Sequence, residues 1–183
     1  ALAREADLVI TGRVADPSLT VAACAHWFGW VWDDWDRLAG ATVAGHLIEC
    51  GTQLTGGIST DWLETPDVGR VGFPIVEVAD DGSCVATKPV ASGGRVSLQT
   101  VKEQLVYEIG DPDAYLSPDV TVSLLSLHVM EEGENRVRVD GARAKASDHI
   151  IPGQTVRVPP LPETEAPSRP RASAVSPADE RMI

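Results

Sequence analysis

Three side chains with catalytic potential lie close together in the segment GHLIECGTQLTGG, residues 45–57. His46, Glu49 and Cys50 are spaced by three and four residues, which places them on one face of a helix. His46 or Glu49 could act as a general acid or base, and a cysteine activated by a histidine is a known nucleophile. The alternative is a plain helix end, because Gly51 is the left-handed residue expected there. Both interpretations stay open, and His46 and Glu49 are the catalytic candidates.

The glycine-rich loop that follows offers backbone N–H groups, hydroxyls and an amide, which could cradle a phosphate or an oxyanion. The candidate substrate-binding residues in this loop are Gly51, Thr52, Gln53, Thr55, Gly56 and Gly57. The loop matches neither a Walker nor a dinucleotide-binding pattern. A second loop, Ser92-Gly93-Gly94, precedes a predicted helix and could serve the same purpose.

A polar turn carries two further candidates, Arg13 and Asp16. It follows a predicted strand, where α/β folds collect ligands, and an arginine there suits a carboxylate or a phosphate. Alternatively, the two residues pair with each other or cap the next helix. A metal needs three or four ligands. His46 and Glu49 supply two, and a third could come from Asp16 or from a segment outside this sequence, so we expect no metal.

The elements that must position these residues read as an α/β fold. We expect the trailing strand–helix units of a layered α/β domain, followed by a β-hairpin-rich portion with one long helix. The predicted elements are a strand over 6–13, helices over 19–26 and 38–50, a hairpin around ADDGS, a helix from Ser97 to about 109, and a hairpin around EEGEN. Trp27, Trp30 and Trp35 could pack internally or line the wall of an apolar pocket.

Composition restricts the functional classes. The net charge of −12 argues against nucleic-acid binding through phosphates, and no apolar run is long enough to span a membrane. Three cysteines without CxxC spacing, in a sequence without a signal peptide, indicate reduced thiols and a cytoplasmic location. The sequence also starts without a methionine, and we expect it to be a segment of a longer protein.

The character of the sequence changes near residue 143. Seven of the thirteen prolines fall in 144–183, which contains no aromatic residue. We therefore predict a structured region over 1–143 and a proline-rich, disordered tail over 144–183.

The strings TGRVADPSLTVAACAHWFGWVWDDWDRLAGATVAGHLIECGTQLTGG, GFPIVEV, SGGRVSLQTVKEQLVYEIGDPDAYLSPDV and RVRVDGAR occur in this order. Together they resemble the acyclic terpene utilisation (AtuA-type) family over about residues 3–143. The match corresponds to the later half of that family's N-terminal region. Family members carry an additional α/β segment before it and continue past GAR into further strand-like sequence.

The resemblance implies a role in the catabolism of acyclic terpenes such as citronellol and geraniol, or of branched-chain acids. The expected ligand is an acyl-CoA thioester or a terpenoid small molecule, with coenzyme A as part of the substrate and no separate cofactor. If the protein is an enzyme, lyase or hydratase chemistry fits the pathway, with His46 or Glu49 as general acid or base. The alternative is a non-catalytic subunit or scaffold of an acyl-CoA-processing complex, and a homo-oligomer is also open.

Overall fold

The computed structural model describes residues 1–144, which form a mixed α/β arrangement. Its helices are α1 (Ser18–Phe28), α2 (Trp35–Glu49) and α3 (Leu98–Val106), and four short 3₁₀ turns lie before α1 and after α2. The predicted α/β class, with a β-hairpin-rich portion that contains one helix, is confirmed. None of the helices in this part of the chain is both long and apolar enough to cross a bilayer.

Within residues 1–144, seven strands form two antiparallel sheets. The strands are β1 (Ile75–Val78), β2 (Cys84–Thr87), β3 (Tyr115–Leu116), β4 (Thr121–Ser123), β5 (His128–Gly133), β6 (Arg136–Asp140) and β7 (Arg143–Ala144). The larger sheet has the order β1-β2-β6-β5, and the smaller sheet has the order β3-β4-β7. The hairpins β1–β2 and β5–β6 turn at ADDGS and EEGEN, as predicted.

Helix α2 is the centre of the core. Every residue from 38 to 47 is buried, and the helix contacts α1, α3 and both sheets. Its glycines permit this close packing. A Cβ on Gly40 would lie 2.2 Å from the carbonyl oxygen of Gly82 in the β1–β2 turn, and one on Gly45 would lie 2.6 Å from Cα of Pro17. The small-residue sequence of α2 thus brings the start of α1 against the end of α2.

The strand predicted over residues 6–13 is wrong. These residues form no strand, and Leu8 and Ile10 are 77% and 87% exposed. A strand requires a neighbour to pair with, and no described strand lies beside this segment. An apolar run alone therefore did not specify a strand here.

Helix limits differ from the prediction by up to three residues. Helix α2 begins at Trp35 and α3 ends at Val106, because Tyr107 is extended and Glu108 is left-handed with φ of 58°. Neither Asp16 nor Ser18 caps α1, whose N-cap is Pro17 without a side-chain hydrogen bond.

Two predicted helix signals are correct. Ser97 caps α3 in a reciprocal capping box with Thr100. Gly51 is left-handed after α2, with φ of 58°. The tail predicted over 144–183 lies outside the described residues from position 145 onward, so its disorder stays a prediction.

Candidate active site

A pocket of about 500 Å³ lies where the polar turn before α1 meets the end of α2. We call it the polar pocket. Its lining residues are Thr11, Gly12, Arg13, Val14, Asp16, Leu19, Thr20, Gly45, Ile48 and Glu49. The pocket exists because Pro17 lies directly on Gly45, which fixes the polar turn beside the last turn of α2. Three residues predicted from the sequence, Arg13, Asp16 and Glu49, are therefore brought together.

The charged groups of this pocket are only partly used by the protein itself. Arg13 and Asp16 are exposed, and neither takes part in the ion pairs formed among the described residues. The alternative that they pair with each other is thus not what the structure shows. Glu49 is half-buried, and its Oε1 accepts a hydrogen bond from Sγ of Cys50 at 2.6 Å. An unpaired guanidinium and two carboxylates remain directed to one small volume.

Tyr115, at the start of β3, is a residue that sequence reasoning missed. Burial raises the pKa of its phenol, and the negative charges of Glu49 and Asp16 raise it further, so both carboxylates lie within electrostatic reach of the ring. The Tyr115 ring also lies 5.3 Å from the His46 ring, centroid to centroid. Nothing in the local sequence DAYLS signals this contact, because it depends on β3 reaching α2 from far along the chain.

His46 does not line the polar pocket, although Glu49 does. His46 is buried, and its Nε2 lies 2.8 Å from the carbonyl oxygen of Gln104 on α3. In return, Nε2 of Gln104 donates to the carbonyl oxygen of His46 at 2.8 Å. Burial lowers the pKa of His46, and the hydrogen bond to Gln104 and the charge of Glu49 only partly oppose this effect. The imidazole therefore joins α2 to α3 and lies beside Tyr115, and neither of these two rings lines the polar pocket.

Cys50 has little thiolate character. Burial, followed by the hydrogen bond to Glu49, raises the pKa of its thiol to about 11. A thiol with this pKa is almost fully protonated at neutral pH and is a weak nucleophile. Cys50 therefore holds the carboxylate of Glu49 in place.

The loop over 51–57 is largely buried and bonded to itself and its neighbours. The Thr55 hydroxyl donates to the carbonyl oxygen of Gly72 at 2.7 Å, and the N–H groups of Gly56 and Gly57 donate to Gln53 and Thr52 at 3.0 and 2.8 Å. None of the predicted binding residues of this loop lines the polar pocket. These three donors are already used in hydrogen bonds within the protein, and these bonds stabilise the loop directly after α2.

An apolar groove of about 520 Å³ adjoins the polar pocket and shares Thr11 and Leu19 with it. Its other lining residues are Ala1, Leu2, Ala3, Val9, Ala22, Ala23, Ala25, His26, Trp30 and Trp32. Trp30 is fixed by stacking on Phe28, with ring centroids 5.2 Å apart, and by donating from Nε1 to Asp80 Oδ1 at 3.0 Å. Of the tryptophans expected to form a pocket wall, Trp30 lies in this groove, whereas Trp27 and Trp35 do not.

Within residues 1–144, no group of three or more His, Cys, Asp or Glu side chains is arranged to hold a metal ion. The guanidinium can orient a carboxylate or carbonyl oxygen, and a half-buried carboxylate can transfer a proton. The adjoining groove can bury a hydrocarbon chain.

Comparison with known proteins places the chain in a family. No curated protein and no solved structure matches the sequence. A family model described as acyclic terpene utilisation family protein AtuA matches residues 1–152, which include every described residue. This match agrees with the resemblance seen in the sequence strings, and the chain belongs to the acyclic terpene utilisation family AtuA.

Proposed function

We propose that the protein binds the acyl part of an acyclic terpenoid or branched-chain acid, as the free acid or its CoA thioester. Membership of the AtuA family supports the terpenoid class. The observation that carries the proposal is the junction at Thr11 and Leu19, where a charged pocket and an apolar groove adjoin. A branched hydrocarbon with one polar end has the same division into apolar and polar parts.

The polar end of the ligand lies at Arg13 in this proposal. Arg13 is exposed and has no partner among the described residues, so its fork of N–H donors is available for a carboxylate or for a thioester carbonyl. The hydrocarbon lies on the groove side, against Leu19, Ala22 and Trp30.

The chemical step that fits these residues is addition or removal of water at a carbon–carbon double bond. Such a step needs a group that takes a proton from water or from carbon, and Glu49 is half-buried at the pocket wall for that purpose. Cys50 positions the Glu49 carboxylate through its hydrogen bond, whereas His46 is buried against Tyr115 and Gln104 and does not line the pocket.

A second candidate function is that of a non-catalytic subunit. It is favoured by large apolar side chains exposed outside the groove: Leu8, Ile10, Trp27, Leu63 and Phe73 are each more than 70% exposed. Exposed apolar surface of this kind is typical of contacts with another chain, which includes a second copy of this protein.

Turnover measurements on matched variants distinguish the two. Purified protein is given geranyl-CoA, and loss of the conjugated thioester is followed by chromatography. We expect turnover by the wild type, loss of turnover but not of binding in Glu49→Gln, and loss of both in Arg13→Gln. Glu64→Gln, at an exposed position outside the pocket, is the control and should behave as wild type. Binding of geranyl-CoA without turnover, by the wild type as well as by every variant, would support the subunit role.

A further inference from the structure

A cavity of about 710 Å³ is separate from the site above. It lies between the end of β2, the loop over 89–97 and the β5–β6 turn. Three basic side chains, Lys88, Arg95 and Arg136, line it. We call it the basic cavity. A concentration of cations is unexpected in a chain with a net charge of −12.

Arg95 is the central feature of this cavity. Its Nε atom is buried and has no hydrogen-bond partner among the described residues. The backbone on either side is held firmly, since the Arg95 N–H donates to Thr55 O at 2.9 Å and the Val96 N–H donates to Asn135 Oδ1 at 2.9 Å. A buried donor without a partner is destabilising, and more so when the group is charged. An anion in the cavity would supply the missing acceptor.

Two neighbours offer further donors. Lys88 donates from Nζ to the carbonyl oxygen of Ser92 at 2.7 Å, which uses one of its three N–H groups. Asn135 uses its Oδ1 to accept from Val96, and its amide N–H₂ lies on the same cavity wall. The residues therefore provide a guanidinium, an ammonium and an amide from three separate elements.

The glycines of the SGG loop have a different purpose. The N–H groups of Gly93 and Gly94 already donate to Arg70 O at 2.9 Å and to Pro66 O at 2.7 Å. A Cβ on Gly93 would lie 2.1 Å from the carbonyl oxygen of Asp67. These glycines permit the SGG loop to lie close to the segment around Asp67, which positions Arg95. The hydrogen-bond donors that remain for a ligand are therefore side chains.

The remaining charges in the lining are mostly neutralised by partners. Arg136 forms a bidentate pair with Glu77, with N–O distances of 3.1 and 2.7 Å. Asp67 pairs with Arg70 at 3.6 Å. Glu134 is an exposed carboxylate at the edge of the cavity. Arg95 forms none of the ion pairs among the described residues, and Glu103 is the carboxylate whose pKa its charge helps to lower. The guanidinium without a hydrogen-bonded acid in this lining is thus that of Arg95, assisted by Lys88.

We propose that the basic cavity binds a phosphoryl group, as inorganic phosphate or as a phosphate monoester, through Arg95, Lys88 and Asn135. A phosphate dianion presents several acceptor oxygens, which match a guanidinium and an ammonium approaching from different sides. This proposal goes beyond the function proposed above and stands even if the terpenoid site fails.

The test is a calorimetric titration of the full chain with sodium phosphate at constant ionic strength, set by sodium chloride. We expect saturable binding to one site, weakened at least about tenfold in Arg95→Gln, since a charge-assisted hydrogen bond contributes about 1.5–3 kcal/mol. Lys88→Gln should weaken binding to a smaller extent. The control Arg4→Gln changes an exposed arginine outside the cavity and should bind phosphate as wild type does.

Coenzyme A and dephospho-coenzyme A identify the source of the phosphate. Stronger binding of coenzyme A than of dephospho-coenzyme A would assign the site to the 3′-phosphate, whereas saturable binding of phosphate without binding of either coenzyme would assign it to free phosphate. Arg95→Met supplies an independent measurement, because removal of a half-buried guanidinium whose buried Nε has no partner should leave the melting temperature equal or higher while phosphate binding is lost. Absence of saturable phosphate binding, or binding unchanged in both Arg95→Gln and Lys88→Gln, would overturn the proposal.

Discussion

His46 and Gln104 form a reciprocal pair in which each side chain bonds to the other's backbone, with both distances at 2.8 Å. Because the imidazole nitrogen faces a carbonyl oxygen, Nε2 carries the proton in the neutral form. The pair joins α2 to α3 and leaves Glu49 as the titratable group of α2 that lines the polar pocket. At the scale of single residues, packing gives His46 and Glu49 different roles: His46 joins two helices and Glu49 lines the pocket. Their spacing in the sequence does not distinguish these roles.

The burial of His46 predicts a pH dependence of stability. Its pKa is lowered in the folded protein from the ordinary value of 6.5. As the pH falls, the unfolded chain therefore takes up a proton first, and the free energy of unfolding decreases below about pH 6.5. Urea unfolding at pH 7.5 and 5.5 should show this loss.

The matched variants are His46→Gln and His128→Gln, the second at an exposed position on β5. We expect His46→Gln to reduce the difference in unfolding free energy between the two pH values, and His128→Gln to preserve it. An unchanged pH dependence in His46→Gln would show that other groups cause it.

Cys50 should be slow to react. With a pKa of about 11, its thiol is ionised to a very small extent at pH 7.5, so iodoacetamide should modify it far more slowly in the folded protein than in urea. Mass spectrometry of the alkylated peptides measures both rates. In Glu49→Gln the carboxylate that raises the pKa is absent, and we expect faster modification. Rapid alkylation in the folded wild type would contradict this assignment.

At the scale of elements, α2 is placed by its glycines. A Cβ on Gly40 would lie 2.2 Å from the backbone oxygen of Gly82, which cannot move aside as a flexible side chain can. Helix propensity alone would make alanine better than glycine there by about 1 kcal/mol. Overpacking against the β1–β2 turn opposes this, at a cost of about 1–3 kcal/mol, and we expect the cost to prevail.

Gly40→Ala should therefore lower the free energy of unfolding, measured by urea titration. Gly69→Ala is the control, since nothing lies within 4 Å of a Cβ at that position. The control should change stability little. An increase in stability for Gly40→Ala would mean that the turn at Gly82 moves away from α2.

Elements with local signals could be predicted from the sequence. The ADDGS turn and the Ser97 capping box are specified by residues close in the chain, and both form as expected. The strand prediction over 6–13 is wrong because a strand requires a second strand to pair with, and residues within the segment do not specify that partner. The same distinction applies to the candidate site. Arg13 and Asp16 lie in one turn and could be predicted from the sequence, whereas the contact of Tyr115 with His46 joins distant parts of the chain and could not.

At the scale of the whole molecule, the proposed binding of a terpenoid acid depends on one junction, where the polar pocket and the apolar groove share Thr11 and Leu19. A ligand that occupies both parts must lose affinity when either part is altered by substitution. A ligand without a long hydrocarbon chain must lose affinity only when the pocket is altered. This difference separates a specific site from general binding to exposed apolar surface.

The most direct measurement is a calorimetric titration of the full chain with geranic acid and, separately, with the shorter isovaleric acid. Arg13→Gln removes the proposed head-group contact, and Ala22→Trp fills the groove. Leu125→Trp, at an exposed position outside both, is the control.

We expect Arg13→Gln to weaken both acids by about tenfold or more, because a charge-assisted hydrogen bond contributes about 1.5–3 kcal/mol. Ala22→Trp should weaken geranic acid strongly and isovaleric acid little, and Leu125→Trp should weaken neither. Equal affinity of the wild type, Arg13→Gln and Ala22→Trp for geranic acid would contradict the account.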